Sequence, residues 1–280
     1  MKEIATDQII KTVAELCMSA NYDLGEDVQA ALQAAQKTET SPVGHGILEQ
    51  ILQNAEIARS ESVPICQDTG YAVFFVEIGQ DVRITGGGLR AAINEGVRQG
   101  YEEGYLRKSI LGDPIKRVNT KDNTPALIHF DVVEGDQLKI IIAPKGGGAE
   151  NMSEVRMLKP SDGAEGVKNF VVERVKKSGG NPCPPVVVGV GIGGTFEGSA
   201  ILAKKALLRE LGSHNPDPFY AAMEDELLER VNNIGSGPQG LGGNTTALGV
   251  LIETAPCHIA SLPAAVNMQC HAARHKSAVL

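Results

Sequence analysis

None of the apolar runs in this chain approaches the roughly 20 residues that a bilayer-spanning helix needs. The opening MKEIATDQIIKTVAELCMSANYDL is amphipathic and charged and lacks the continuous apolar core of a secretory signal, so the expected compartment is the cytoplasm. Positive charge is also short. Lys and Arg number 26 against 34 Asp and Glu, a net −8, which argues against a nucleic-acid surface and means that an anionic ligand needs a local positive site. Internal repeats, low-complexity tracts and linker-like stretches are absent, so residues 1–280 are expected to form a single domain. Cysteine is scarce and odd in number, five in all, with no CxxC pair. That disfavours both a disulfide framework and a local zinc knuckle.

The apolar content is ample for a substantial core, and its periodicity predicts the elements. Ile9, Ile10, Val13, Leu16 and Cys17 follow helical spacing, as do Val28, Leu32 and Ala35, and a third helix is expected from Ile47 to Ala58. Residues 1–60 therefore suggest a helical layer. After Cys66 the texture becomes β-branched and aromatic, in YAVFFVEIG, ALIHFDVV and LKIIIAP. The last two are separated by EGDQ and suggest an antiparallel hairpin. Helices are expected at 88–104, 162–178, 197–211 and 217–233, with strands at PPVVVGVGIGG and TTALGVLIET. The predicted fold is mixed α/β, a mixed sheet flanked by helices with Gly-rich loops at the site.

Three cysteines occupy Gly/Pro-rich loop contexts: Cys66 in ICQDTG, Cys183 in NPCPP and Cys270 in NMQCHA. They lie 117 and 87 residues apart (183 − 66 and 270 − 183), so only folding could bring them together; cysteine content alone favours three unrelated buried thiols. Cys17 lies on an apolar helix face, where a thiol behaves as a small hydrophobe, and Cys257 is less distinctive. Gln67 and Asp68 follow Cys66 directly. An amide and a carboxylate beside a ligand would suit acid/base work, although Asp-Thr-Gly is also good turn chemistry. Arg107 is either a carboxylate clamp or a solvated arginine. His258 either titrates usefully or satisfies a hydrogen bond, and His271 caps or orients its cysteine loop.

Gly189, Gly191 and Gly194 spell GxGxxG after a strand and before a helix, but no acidic-ended second strand follows about 20 residues on, so a dinucleotide site is a minor alternative. The glycines are instead expected to let backbone N–H groups approach an anion or cluster sulfurs. The triple glycine Gly146, Gly147 and Gly148 costs conformational entropy at each position, which a ligand touching the backbone would rationalise.

Taken together, CQDTG, RKSIL-DP-NTKDNTPA, PKGGGAENMS, NPCPPVVVGVGIGGTFEGSA, GPQGLGGNTTALGV and HIASLPAAVNMQCHAARH resemble the alpha-type region of the class I iron–sulfur fumarate hydratases and the related L-tartrate dehydratases. The motifs occur in family order from residue 65 almost to the end. The resemblance implies a [4Fe–4S] cluster held by Cys66, Cys183 and Cys270, with one iron open to substrate as a Lewis acid. It implies Gln67, Asp68, Arg107, Gly147 and Gly148 around a small dicarboxylate, Asp68 exchanging a proton with the hydroxyl, and His258 near the site as a further catalytic group. It also implies a separate beta subunit, which completes the pocket and brings the second base, and a dimer of alpha–beta pairs. Fumarate hydration is the expected reaction, on the ground of the compact length. L-tartrate dehydration is the alternative, and a dinucleotide-dependent oxidoreductase or a non-catalytic metal-binding subunit stand further off.

Overall fold

A computed structural model describes all 280 residues. The chain forms two compact units, each assembled from separated stretches: Met1–Leu24, Asn54–Gly147 and Arg274–Leu280 in the first, Gly25–Gln53 and Gly148–Ala273 in the second. Each unit surrounds its own apolar cluster. The three N-terminal helices, expected as one layer, are divided between them.

In the first unit, β1 (Lys2–Ala5) runs into α1 (Thr6–Tyr22), whose Ile9, Val13, Leu16, Cys17 and Ala20 are buried at helical spacing. This face packs on α4 (Leu89–Glu103), which contributes Ile93, Val97 and Tyr101 to the same cluster. Beneath lies a four-stranded sheet of β2 (Tyr71–Gly79), β4 (Leu127–Val133), β5 (Leu138–Lys145) and β10 (Lys276–Val279), in the order β10-β5-β2-β4; β3 (Val82–Thr85) pairs in parallel with β1.

The expected β4–β5 hairpin does not form. β2 sits between the two strands, parallel to β4 and antiparallel to β5. Its Phe74, Phe75 and Val76 are all buried, so the strand is satisfied only as a central one, with ladders on both edges. The EGDQ segment crosses the end of β2 instead of turning back on β4. Gly79 N–H donates to Gln137 O at 2.9 Å, and a Cβ at residue 79 would lie 2.4 Å from Gly135 O, so only glycine lets the connection pass so close.

The second unit holds α2 (Glu26–Thr38), most of α3 (Pro42–Glu61), the single turn α5 (Gly147–Glu150, its first residue belonging to the other unit), α6 (Gly163–Ser178), α7 (Phe196–Ala206) and α8 (Pro218–Asn232). Its sheet has the order β6-β9-β7-β8, from β6 (Glu154–Leu158), β7 (Val186–Gly194), β8 (Ala247–Cys257) and β9 (Leu262–Gln269). β7 is parallel to β8 and antiparallel to β9. Along β7, Val186, Val188, Val190 and Ile192 join the cluster formed with α6 and α8. The other face carries Gly189 and Gly191, on which α7 lies directly. Added Cβ atoms there would come within 2.1 Å of Ala203 O and Ser199 O.

This corrects the reading of the glycine motif. Gly189 and Gly191 are interior strand residues spent on helix packing, and no phosphate-cradling loop exists around them, which removes the ground for a dinucleotide site. The strand β9 is absent from the expectations because LPAAVNMQ has little β-branched content and begins with a Leu-Pro pair.

Candidate active site

In the first unit, the ICQDTG loop between α3 and β2 is held by buried or part-buried polar side chains acting on its backbone. Asn54 Nδ2 donates to Ile65 O at 2.7 Å, and Ile65 N–H donates to Asn21 O at 2.9 Å. Arg274 Nη2 donates to Asp68 O at 2.7 Å. Tyr101 Oη donates to Thr69 O at 2.9 Å, and Asn123 Nδ2 to Gly70 O at 3.2 Å. Thr69 Oγ1 donates to Arg107 O at 2.9 Å, tying in the RKS segment. Burial holds the Tyr101 hydroxyl well above its ordinary range, so it remains a donor.

With the backbone fixed, three side chains remain for chemistry. Cys66 and Asp68 are partly exposed and Gln67 is exposed. Cys66 Sγ accepts the Asp68 N–H at 3.4 Å and lies 3.5 Å from Gln67 Oε1. The Asp68 carboxylate accepts Gly70 N–H at 3.2 Å on Oδ1 and Gly147 N–H at 2.8 Å on Oδ2. Thus the glycine triplet does present backbone to this site, and its first contact is with Asp68. The Arg107 side chain is exposed, so its guanidinium is available to solvent and ligands. Lys145, just before the triplet, is only 4% exposed and was not singled out from the sequence.

In the second unit, Cys183 and Cys270 come to the same end of the sheet. The β7–β9 register pairs Val187 with Gln269, and His271 N–H donates to Cys183 O at 3.3 Å. Cys183 adopts φ 57°, a left-handed conformation that costs a non-glycine residue about 1–2 kcal/mol and persists only where neighbours enforce it. The enforcing neighbour is Gln239. Its N–H and Nε2 both donate to Pro184 O, at 2.7 and 2.9 Å, and Nε2 lies 3.2 Å from His271 Nδ1. His271 Nδ1 is also 3.0 Å from Cys183 O, so it accepts from Gln239 in one tautomer and donates to the carbonyl in the other. The PQGLGGN stretch is therefore a clasp on both cysteine loops. Gln239 had no distinguishing signal beyond its place in that stretch.

His258 stands elsewhere. It lies in the β8–β9 connection, where Gly194 pairs with Cys257, and Cys270 follows the far end of β9. Eight strand residues at about 3.3 Å each separate the two ends by roughly 25 Å. His258 is exposed, and its Nδ1 accepts Ala260 N–H at 3.1 Å. Within the second unit it is not brought to the cysteine pair.

No disulfide joins any of the five cysteines, and no group of three or more His, Cys, Asp or Glu side chains forms a preformed metal cage. The three loop thiols differ from Cys17, which is fully buried and whose thiol burial pushes far above the ordinary range. Cys66 and Cys270 are partly exposed and Cys183 is exposed, as is Cys257.

The family model described as Fumarate hydratase (Fumerase) matches residues 10–279. A protein of Methanocaldococcus jannaschii, provisionally named as an L(+)-tartrate dehydratase subunit alpha, is 46% identical over 273 residues, 95% of each chain. The L(+)-tartrate dehydratase subunits alpha of Escherichia coli strains UTI89 and K12 are 35% and 34% identical over 277 residues, 98% of this chain and 91% of theirs.

Proposed function

Because the chain belongs to the fumarate hydratase (Fumerase) family, as an alpha subunit of the class I iron–sulfur hydro-lyases, we propose that it dehydrates L-tartrate in company with a beta subunit in the cytoplasm. A hydro-lyase alpha subunit is part of a two-subunit enzyme. The length of this chain gives no reason to prefer fumarate, since tartrate dehydratase alpha subunits align with it over nearly their whole length. Their names favour tartrate, and fumarate hydration becomes the second reading on the strength of the family description.

Cys66, Cys183 and Cys270 are the residues that would hold a [4Fe–4S] cluster. The fit is one of donor chemistry and pairing: three thiols outside any disulfide, each in an accessible loop, two of them clasped together by Gln239 and His271. Such a cluster, held by three thiolates, supplies a Lewis-acidic iron for the substrate hydroxyl.

The remaining work falls to the chain itself. Removing water from a 2-hydroxy dicarboxylate requires a proton for the departing hydroxyl and a base for the adjacent carbon. Asp68 gives or receives the hydroxyl proton; Gly70 and Gly147 N–H groups fix its two oxygens so that the group does not have to reorient during the step. With the Gly147 N–H engaged by Asp68, substrate oxygens fall to Gln67, Arg107 and the Gly148 N–H, and the Arg107 guanidinium offsets the chain's net −8 locally. The beta subunit brings the carbon base, in a dimer of alpha–beta pairs. His258, at the far end of the β7–β9 pair, has no assigned step.

The observation that carries this reading is the fixed Cys66–Asp68 loop, in which a thiol and an oriented carboxylate are adjacent. Co-expression with the beta chain under anaerobic conditions, followed by assays of oxaloacetate from L-tartrate and fumarate from malate, tests it. Turnover of malate at a higher kcat/KM than tartrate would overturn the substrate assignment, and turnover of neither would overturn the function.

A further inference from the structure

One buried charge has no counter-ion in this structure. Arg274, four residues beyond Cys270 in sequence, is 3% exposed. Its Nη1 donates to Asn21 Oδ1 at 3.1 Å and its Nη2 to Asp68 O at 2.7 Å, both neutral acceptors, while the buried Nε has no partner at all. A guanidinium in a core without a carboxylate is costly, and well-packed apolar residues commonly replace such groups without loss of stability. Its placement points to a task other than holding the core.

The hydrogen bonds specify that task. Asn21 accepts the Ile65 N–H on its backbone oxygen and offers its side-chain oxygen to Arg274; Arg274 in turn holds the carbonyl of Asp68. The two anchors therefore stand on either side of Cys66, at residues 65 and 68, and are joined to each other through one guanidinium–amide contact. Asn21 itself is locked, with no exposure and its Nδ2 donating to Cys17 O at 2.8 Å. A planar, two-pronged donor reaches both acceptors at once, which a lysine ammonium on a flexible stem does not reproduce. Tyr101 and Asn123 complete the cradle at the next two carbonyls.

We infer that Arg274 is a positioning residue of the dehydration: by clamping the Asp68 carbonyl to Asn21 it sets the span that carries both the Cys66 thiol and the Asp68 carboxylate. The inference rests on the role proposed above for Asp68, and the loop-ordering part of it stands independently.

The test uses the full-length chain, wild type, Arg274→Met and Arg274→Lys, first metal-free and then with its beta subunit. Hydrogen exchange at the Asp68 and Gly70 amides should be about tenfold faster in R274M, while amides of β2 and β5 keep wild-type protection. In the assembled enzyme R274M should lose about tenfold or more in kcat with KM within about twofold, and R274K should recover part of both losses because one donor can still reach Asp68 O. Unchanged loop exchange and unchanged kcat would overturn the inference. So would loss of protection throughout the first unit in both variants, with activity falling only as the folded fraction falls, since that is the behaviour of a core plug. If wild type has no dehydratase turnover, the functional reading fails, and the exchange comparison still decides whether Arg274 orders the loop.

Discussion

Glu39 provides a stringent test of how the second unit is latched. The residue follows α2 and is 8% exposed. Its carboxylate accepts N–H groups of Ser41 at 2.9 Å, Asn244 at 2.8 and 3.0 Å, and Thr245 at 3.2 Å, so it joins the α2–α3 corner to the loop that leads from Gln239 into β8. Burial raises the pKa of this carboxyl, but the backbone donors together outweigh it and leave the group below its ordinary 4.5. A folded-state pKa below the unfolded one gives stability that is fully present above the unfolded value and is lost as pH falls through the folded value. Hydrogen bonds to a charged acceptor contribute about 1.5–3 kcal/mol each and are not additive, so Glu39→Gln should cost about 2 kcal/mol at neutral pH, and Glu39→Ala, which abandons three donors, about 3–4 kcal/mol. Urea unfolding monitored by a probe in the second unit, run at pH 7 and in steps down through pH 3, measures both. The gap between wild type and Glu39→Gln should be widest at neutral pH and close on the acid side of about 4.5. A gap smaller than about 0.5 kcal/mol, or one that does not vary with pH, would refute the reasoning.

Other consequences are more direct. Asp68→Asn should retain cluster and fold yet lose about 100-fold or more in kcat, while Arg107→Ala should chiefly raise KM; near-normal turnover in the first or an unchanged KM in the second would remove the assignment. Serine at Cys66, Cys183 or Cys270 should each abolish retention of reconstituted iron, whereas serine at Cys257 should leave it intact, as read by iron and sulfide analysis after desalting. His258→Ala should also leave iron content at the wild-type level, because strand β9 separates it from the cysteine pair. Gly189→Ala should destabilise by about 2–3 kcal/mol in thermal or urea unfolding, since its Cβ would overlap Ala203 O; a neutral result would show that α7 can withdraw from the sheet.

Much of this was legible in the sequence, and the exceptions share a physical cause. Helices α1, α4, α6 and α8 are legible in the sequence because one face of each meets the apolar cluster of its own unit. The β4–β5 pairing was not legible: EGDQ is a good hairpin turn, and nothing local records that a more apolar strand seventy residues from the start must lie between the two. Strand β9 was invisible for a related reason. It is buried almost throughout, so it shows no alternation, and its Pro and Ala content weakens the β signal that remains. The division into two units leaves no trace either, since two of the four passages between them fall inside a helix and inside a glycine triplet, and the other two in short connections without linker composition.

The same contrast divides the candidate site. The residues proposed for chemistry stand inside recognisable motifs: Cys66, Gln67 and Asp68 in one, Cys183 and Cys270 in two others. Residues that fix their geometry lie mostly at unremarkable positions, Asn21 on an amphipathic helix, Tyr101 on another, Asn123 in a turn, Gln239 among glycines and Arg274 near the end of the chain. Tyr101, Asn123, Gln239 and Arg274 each act on a backbone carbonyl, and Asn21 takes a backbone N–H, groups that place no demand on the identity of the residue that owns them. A motif therefore points to candidate side chains for chemistry but not to the side chains that hold them still. It follows that transplanting CQDTG and NPCPP into another α/β frame would reproduce the thiols without the placement of Asp68, because its backbone is held by a donor from the segment after Cys270 and its carboxylate by the Gly147 N–H, both outside those motifs.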